Sequence, residues 1–184
     1  PPTPPMPGPP GPAPFMRNAC PAPPEPATPP AVPPPGATFG PQPFMHFTNQ
    51  TLRQIVRTSI GGTRVRVVLS NAFGTAPIAI GAAHVAVRDK EDTIQGTQGR
   101  PLTFSGRSTL TIPAHATVYS DPVDLTAPPL ADIAVDLYLP GTTNTPAPLT
   151  MHGSSFQTSY ISETGNHAGV PKLPTIGTVR SWFL

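Results

Sequence analysis

Beyond residue 44 the apolar residues fall on alternate positions. Val65, Val67 and Leu69 are spaced two apart, with Arg64, Arg66 and Val68 on the intervening positions. Ile133, Val135, Leu137 and Leu139 alternate in the same way with Asp132, Ala134, Asp136 and Tyr138. A period of two with one apolar row marks a strand that buries one face. Shorter strands are predicted over 52–58, 78–80, 83–87, 102–104, 110–112, 117–120, 155–161 and 178–184. Turn-forming pairs separate them, among them Gly61-Gly62, Asp121-Pro122, Pro128-Pro129 and Pro140-Gly141. No stretch carries a 3.6-residue period, and no internal repeat suggests a propeller or solenoid. The expected fold is all-β, an antiparallel β-sandwich or jelly roll, with prolines flanking strands rather than interrupting them.

The first 43 residues break this pattern. They hold 20 of the 31 prolines and almost no charge. Proline fixes φ and removes a backbone donor, so a disordered or polyproline-like tail is expected over 1–43 and one β-sandwich domain over 44–184. Composition alone leaves open a proline-rich ligand for a recognition domain. The 141 residues of the domain suffice to bury roughly two-thirds of their unfolded surface. No apolar run approaches the ~20 residues of a membrane helix, so no membrane span is expected. The chain shows no signal peptide and does not begin with Met, which suggests a mature or excised product.

Charge changes the picture little. The formal net charge is +2, and charged residues make up 11% of the chain, well below the ~25% of ordinary soluble domains. A nucleic-acid partner is not expected at that density. One local excess stands out: Arg53, Arg57, Arg64 and Arg66 lie in a stretch without an acidic residue between Ala27 and Arg88. They read first as solvent-facing partners of alternating strands, and second as a groove subsite for an anionic or polyhydroxylated ligand. No aromatic residues interleave with them as a nucleic-acid surface would require.

Candidate chemistry is sparse. Neither a Gly-x-Ser-x-Gly elbow nor a Gly-Asp-Ser block occurs. Ser70 and Ser120 read as corner serines bonded to nearby backbone. His46, His84, His115, His152 and His167 lie 31 to 38 residues apart, or 15 for the last pair, so none has the spacing of a local metal pair. His84 alternates with Ala83 and Val85 and is expected on a strand surface. His152, at a strand end beside Gly153, is the histidine positioned to line a groove. Asp121, before Pro122, is expected to anchor a turn. Asp132 and Asp136 share a strand face about 13 Å apart, too far for a glycosidase pair. Asn49-Gln50-Thr51 is a glycosylation sequon of a kind common by chance. Cys20 is the only cysteine, so no internal disulfide and no cysteine-based metal site can form. No catalytic residue, cofactor or metal is assigned to the chain.

The stretch from Asn49-Gln50-Thr51-Leu52 through Gly61-Gly62-Thr63-Arg64-Val65-Arg66-Val67-Val68-Leu69-Ser70-Asn71 to Gly74-Thr75 resembles a block of one family. That block belongs to the all-β domain preceding the catalytic domain of secreted bacterial SGNH/GDSL-type hydrolases. Gly81-Ala82-Ala83-His84, Arg100-Pro101-Leu102-Thr103-Phe104, Ser120-Asp121-Pro122-Val123-Asp124-Leu125, Val135-Asp136-Leu137-Tyr138-Leu139-Pro140-Gly141 and Gln157-Thr158-Ser159-Tyr160 look like further landmarks, in order. Trp182-Phe183-Leu184 resembles the lead-in to the catalytic domain. The proline-rich opening departs from the family, whose members tend to start with a Trp-containing strand. The resemblance implies an exported carboxyl-ester hydrolase: an esterase, lipase or carbohydrate deacetylase. Its nucleophile and base would lie downstream of Leu184. This chain would be the noncatalytic part that packs beside the catalytic domain, in the same parent chain or as a separate processed one, and helps shape a groove for an ester or carbohydrate-ester substrate. Arg53, Arg57, Arg64, Arg66 and His152 are the groove candidates. The competing reading is a self-contained carbohydrate- or surface-binding module on a proline-rich stalk, served by exposed aromatics among Phe73, Tyr119, Tyr138, Tyr160 and Trp182.

Overall fold

The computed structural model of the protein describes residues 45–96, 98–143 and 149–184. The tail expected over 1–43, with Cys20, lies outside these residues. The first strands are β1 (Thr48–Arg57), β2 (Gly62–Val65), β3 (Val68–Ser70), β4 (Ile78–Ile80) and β5 (Ala82–Lys90). Next come β6 (Thr93–Ile94), β7 (Arg100–Pro101), β8 (Leu110–Ile112), β9 (Thr117–Tyr119) and β10 (Val123–Ala127). The last are β11 (Asp132–Thr142), β12 (Met151–Gly153), β13 (Ser159–Thr164), β14 (Thr175–Val179) and β15 (Ser181–Phe183). No helix occurs among the described residues, and the pairings of these strands are antiparallel. The fold is all-β and sandwich-like, as the alternation predicts.

The long strands make the main sheet, in the order β14-β13-β1-β11-β5-β6, with β7 also paired to β5. Four two-stranded pieces make up the remaining pairings: β10 with β2, β3 with β9, β4 with β8, and β12 with β15. Leu52, Val85, Val135 and Leu137 of the main sheet pack against Leu69, Ile80, Ile112, Leu125 and Phe183 of these pieces in one apolar core. This is the face that the alternating apolar rows select, since every second side chain of a strand points the same way.

Four details correct the sequence reading. Residues 65–69 alternate in burial but do not form one strand. Val67 and Arg66 turn aside to bond Ser120, whose Oγ accepts the Val67 N–H at 2.9 Å and whose carbonyl accepts Arg66 Nε at 2.9 Å. Residues 178–184 split at Arg180 into β14 and β15, which serve different sheets. Around 102–104 the strand is the preceding pair Arg100–Pro101, and Phe104 only bridges to Arg107. Two prolines stand inside strand bounds rather than outside them: Pro101 ends β7, and Pro140 sits near the end of β11 opposite the register shift between Thr48 and Gln50. Proline is tolerated at edges and bulges because no ladder donor is needed there.

The outer face of the main sheet is also covered. Residues 165–173 run over it as a strap, and Leu173 and Val170 pack on Ile55, Ala86, Ala134 and Tyr160 in a second apolar cluster. The apolar rows of β1 and β11 are therefore only half of what these strands bury.

Candidate functional site

The paired strands β12 and β15 are pinned across the inner face by groups of β1. Gln54 Nε2 donates to the Phe183 carbonyl at 2.9 Å, and the Phe183 N–H donates back to Gln54 Oε1. The indole N–H of Trp182 donates to the Ile55 carbonyl at 2.7 Å, a group beyond the last residue that β13 pairs on β1. Phe183 meets Phe47 edge-on, centroids 5.0 Å apart. The sequence run Trp182-Phe183-Leu184 is thus held at each of its first two side chains.

Beside this strand pair opens a groove of about 400 Å³. Gln54, Val56 and Val135 of the main sheet line it, with Leu69 of β3 and Trp182 and Leu184 at the C-terminal strand. Its rim is apolar and uncovered: Phe73 is 75% exposed, Met151 52% and Val68 49%. Apart from His152, the polar side chains lining it are already engaged. Thr150 Oγ1 accepts the Phe73 N–H at 2.9 Å, Ser70 Oγ accepts the Ala72 N–H at 3.3 Å, and both ends of the Gln54 amide are used by Phe183. His152 also lines the groove, exposed, its ring 5.2 Å from that of Trp182 and tilted by 38°. Among the described residues it is the only ionisable side chain lining the groove.

The four arginines do not join His152, for none lines this groove, and each has its own partner. Arg57 pairs with Asp132 at 3.3 Å and Arg64 with Asp124 at 3.4 Å, both on exposed surface. Arg66 bonds the Ser120 carbonyl and lies over the Tyr119 ring, 5.6 Å from its centroid. Arg53 corrects the expectation of a solvent-facing side chain: it is fully buried, and as such is closed to a ligand. Its Nε and Nη2 donate to the Asp136 carboxylate at 2.7 and 2.8 Å. Its remaining donors reach the carbonyls of Asp92 and, at 2.7 Å, Val170. A buried guanidinium is tolerable only with such a full set of acceptors.

His84 is likewise not the surface residue that its alternation implies. It is half-buried next to Asp136 on β11 and Pro101 on β7. Burial lowers the pKa of its imidazole; Asp136 opposes that, and Arg53 and Arg100 reinforce it.

The remaining polar candidates are structural. Ser120 Oγ donates to the Asp121 carbonyl. The Asp121 carboxylate clamps a neighbouring loop, accepting the Gly106 N–H at 2.8 Å, the Thr103 hydroxyl at 2.7 Å and the Ser105 N–H at 3.1 Å. These bonds, that of Gly106 foremost, hold its pKa below the ordinary carboxylate value. In the Asn49-Gln50-Thr51 sequon, Thr51 is buried and Asn49 Oδ1 accepts the Tyr138 hydroxyl at 2.6 Å. Among the described residues no group of three or more His, Cys, Asp or Glu side chains is placed to hold a metal, and no helix is long and apolar enough to cross a membrane. No family model matches the chain, and no curated protein matches it.

Sequence reasoning singled out His152 but not its surroundings. Phe73 stood among the aromatic candidates and Trp182 in the closing run, while Val68, Met151 and Gln54 were missed. The signal at Val68 and Met151 is weak, apolar residues at strand ends where a one-faced pattern requires none, and Gln54 is a polar residue inside β1 on its inner face.

Proposed function

We propose that the chain is the noncatalytic β-sandwich part of a secreted SGNH/GDSL-type carboxyl-ester hydrolase, an esterase, lipase or carbohydrate deacetylase. It packs beside the catalytic domain and helps shape the substrate groove. The observation that carries this is the apolar groove beside β15, rimmed by exposed Phe73, Met151 and Val68 and lined, apart from His152, by polar groups already bonded within the domain. Such a surface gains from being covered by another apolar surface and offers little to a hydrated ligand. The sequence landmarks supply the identity of the partner, and the groove supplies a place for it. His152 is the residue of this domain that stands at the junction.

A carbohydrate-binding module would want flat aromatic platforms with open faces. Trp182 already stacks with His152 and spends its N–H on Ile55, and Tyr119 carries Arg66, so the aromatics favour docking over sugar binding. The test pairs two measurements: the intact mass of the source polypeptide, and hydrolysis of p-nitrophenyl acetate by the purified 184-residue chain. A longer parent or a co-purifying esterase chain is expected, with no turnover by this chain alone. Turnover that survives repurification would overturn the proposal.

A further inference from the structure

The outer face of the main sheet contains a half-buried ionisable group that the groove does not use. The His84 ring is wedged between two backbone approaches. A Cβ on Gly99 would lie 2.2 Å from its Cε1, and a Cβ on Gly169 would lie 3.0 Å from its Cδ2. At Gly99 a side chain would have to displace the ring, and at Gly169 a φ of +84° favours glycine as well. The ring Nδ1 is buried and has no hydrogen-bond partner. A bare acceptor in such a place is a modest cost, but a charged N–H donor without an acceptor is a large one.

Gly169 belongs to the strap of residues 165–173, which is held by a short set of bonds. Its amide donates to Asp136 Oδ2 at 2.8 Å, and Arg53 donates to the Val170 carbonyl. Further along, Ile94 N–H donates to the Pro171 carbonyl at 2.8 Å, and at the start Thr51 Oγ1 bonds both Gly165 and His167. The charged groups facing His84 are Asp136 from β11, Arg53 from β1 and Arg100 from β7; the strap itself presents the uncharged Gly169.

We infer that His84 is an acid-sensitive latch: taking up a proton on its imidazole loosens the strap of residues 165–173 while the inner core stays closed. Protonation places a third positive charge beside Arg53 and Arg100. The one carboxylate facing the ring is Asp136, whose oxygens are already shared by Arg53 and the Gly169 amide. A new imidazolium donor competes with that amide, and the strap is the partner that can move. The lowered pKa of a base fixes the sign. Because the unfolded or opened state binds the proton more readily, the strap's stability is complete above the ordinary value of 6.5 and is lost as the pH falls below it.

Hydrogen exchange of the full chain, read by mass spectrometry at about pH 7.5 and about pH 5 and corrected for intrinsic rates, tests this. Peptides spanning 165–173 should lose protection by up to about tenfold per pH unit below that value, while those of β1 and β11 do not change. His84→Gln should flatten the dependence, and His167→Gln, on the strap itself, should leave it intact. A dependence that persists in His84→Gln, or its absence in the wild type, would overturn the latch. Should His84→Gln not fold, NMR titration of the unaltered chain decides. The His84 resonance must titrate below 6.5 together with the amide of Gly169. A midpoint at or above that value, or strap amides that do not follow, would equally refute it.

Discussion

The two faces of β11 are buried to the same extent by different physics. On the inner face Ile133, Val135 and Leu137 meet apolar side chains, and nothing there needs a partner. On the outer face Ala134 and Asp136 are just as inaccessible, yet the face closes only because Arg53 and the strap complete a set of charge-assisted bonds. The inner face tolerates rearrangement of shape but no charge. The outer face tolerates charge but not the loss of one partner.

The largest break should come from Val135→Asp, which places an unpaired charge in the inner core. A loss of more than about 4 kcal/mol is expected, enough to abolish a cooperative thermal transition by circular dichroism. Retained cooperative folding would mean that the inner face is not the core. Asp136→Asn should follow at about 3–5 kcal/mol, because it leaves the Arg53 guanidinium buried without its counter-ion. Hydrogen exchange should show that loss first in the strap and only later in β1, which is how the two faces would be told apart. Gln54→Leu should cost about 1–2 kcal/mol, since the backbone groups of Phe183 lose their bonds to the side chain. Limited proteolysis should then cut near β15 while the main sheet survives. The smallest effect belongs to Asp121. Its carboxylate stabilises the loop at Ser105 and Gly106 in full above the ordinary value of 3.8, and that contribution is lost as the pH falls through the lowered one. Asp121→Asn should remove this acid-side dependence from the melting curve and leave the rest unchanged.

Much of the fold was legible because alternation is a local signal. The strands at 78–80 and 110–112 appear with the bounds expected of them, and the inner row of β11 (Ile133, Val135, Leu137 and Leu139) is the row read from the chain. The outer face was not legible for a definite reason. A polar residue on every second position of a strand looks the same whether it faces water or a strap, and the partners of Arg53 at Asp92, Asp136 and Val170 lie 39, 83 and 117 residues away. The same limit hid the surroundings of His84, whose clamp is made by Gly99 and Gly169, 15 and 85 residues further along the chain. In the groove, His152 could be picked out by its place at a strand end. Val68 and Met151 could not, because an exposed apolar residue at a strand end carries no meaning until its neighbours are known.

Trp182 is the only tryptophan in the chain, and it stands in the groove wall against an ionisable ring. The domain therefore carries a built-in optical probe. The colour of its emission will report whether water or another surface fills the groove, without any label attached.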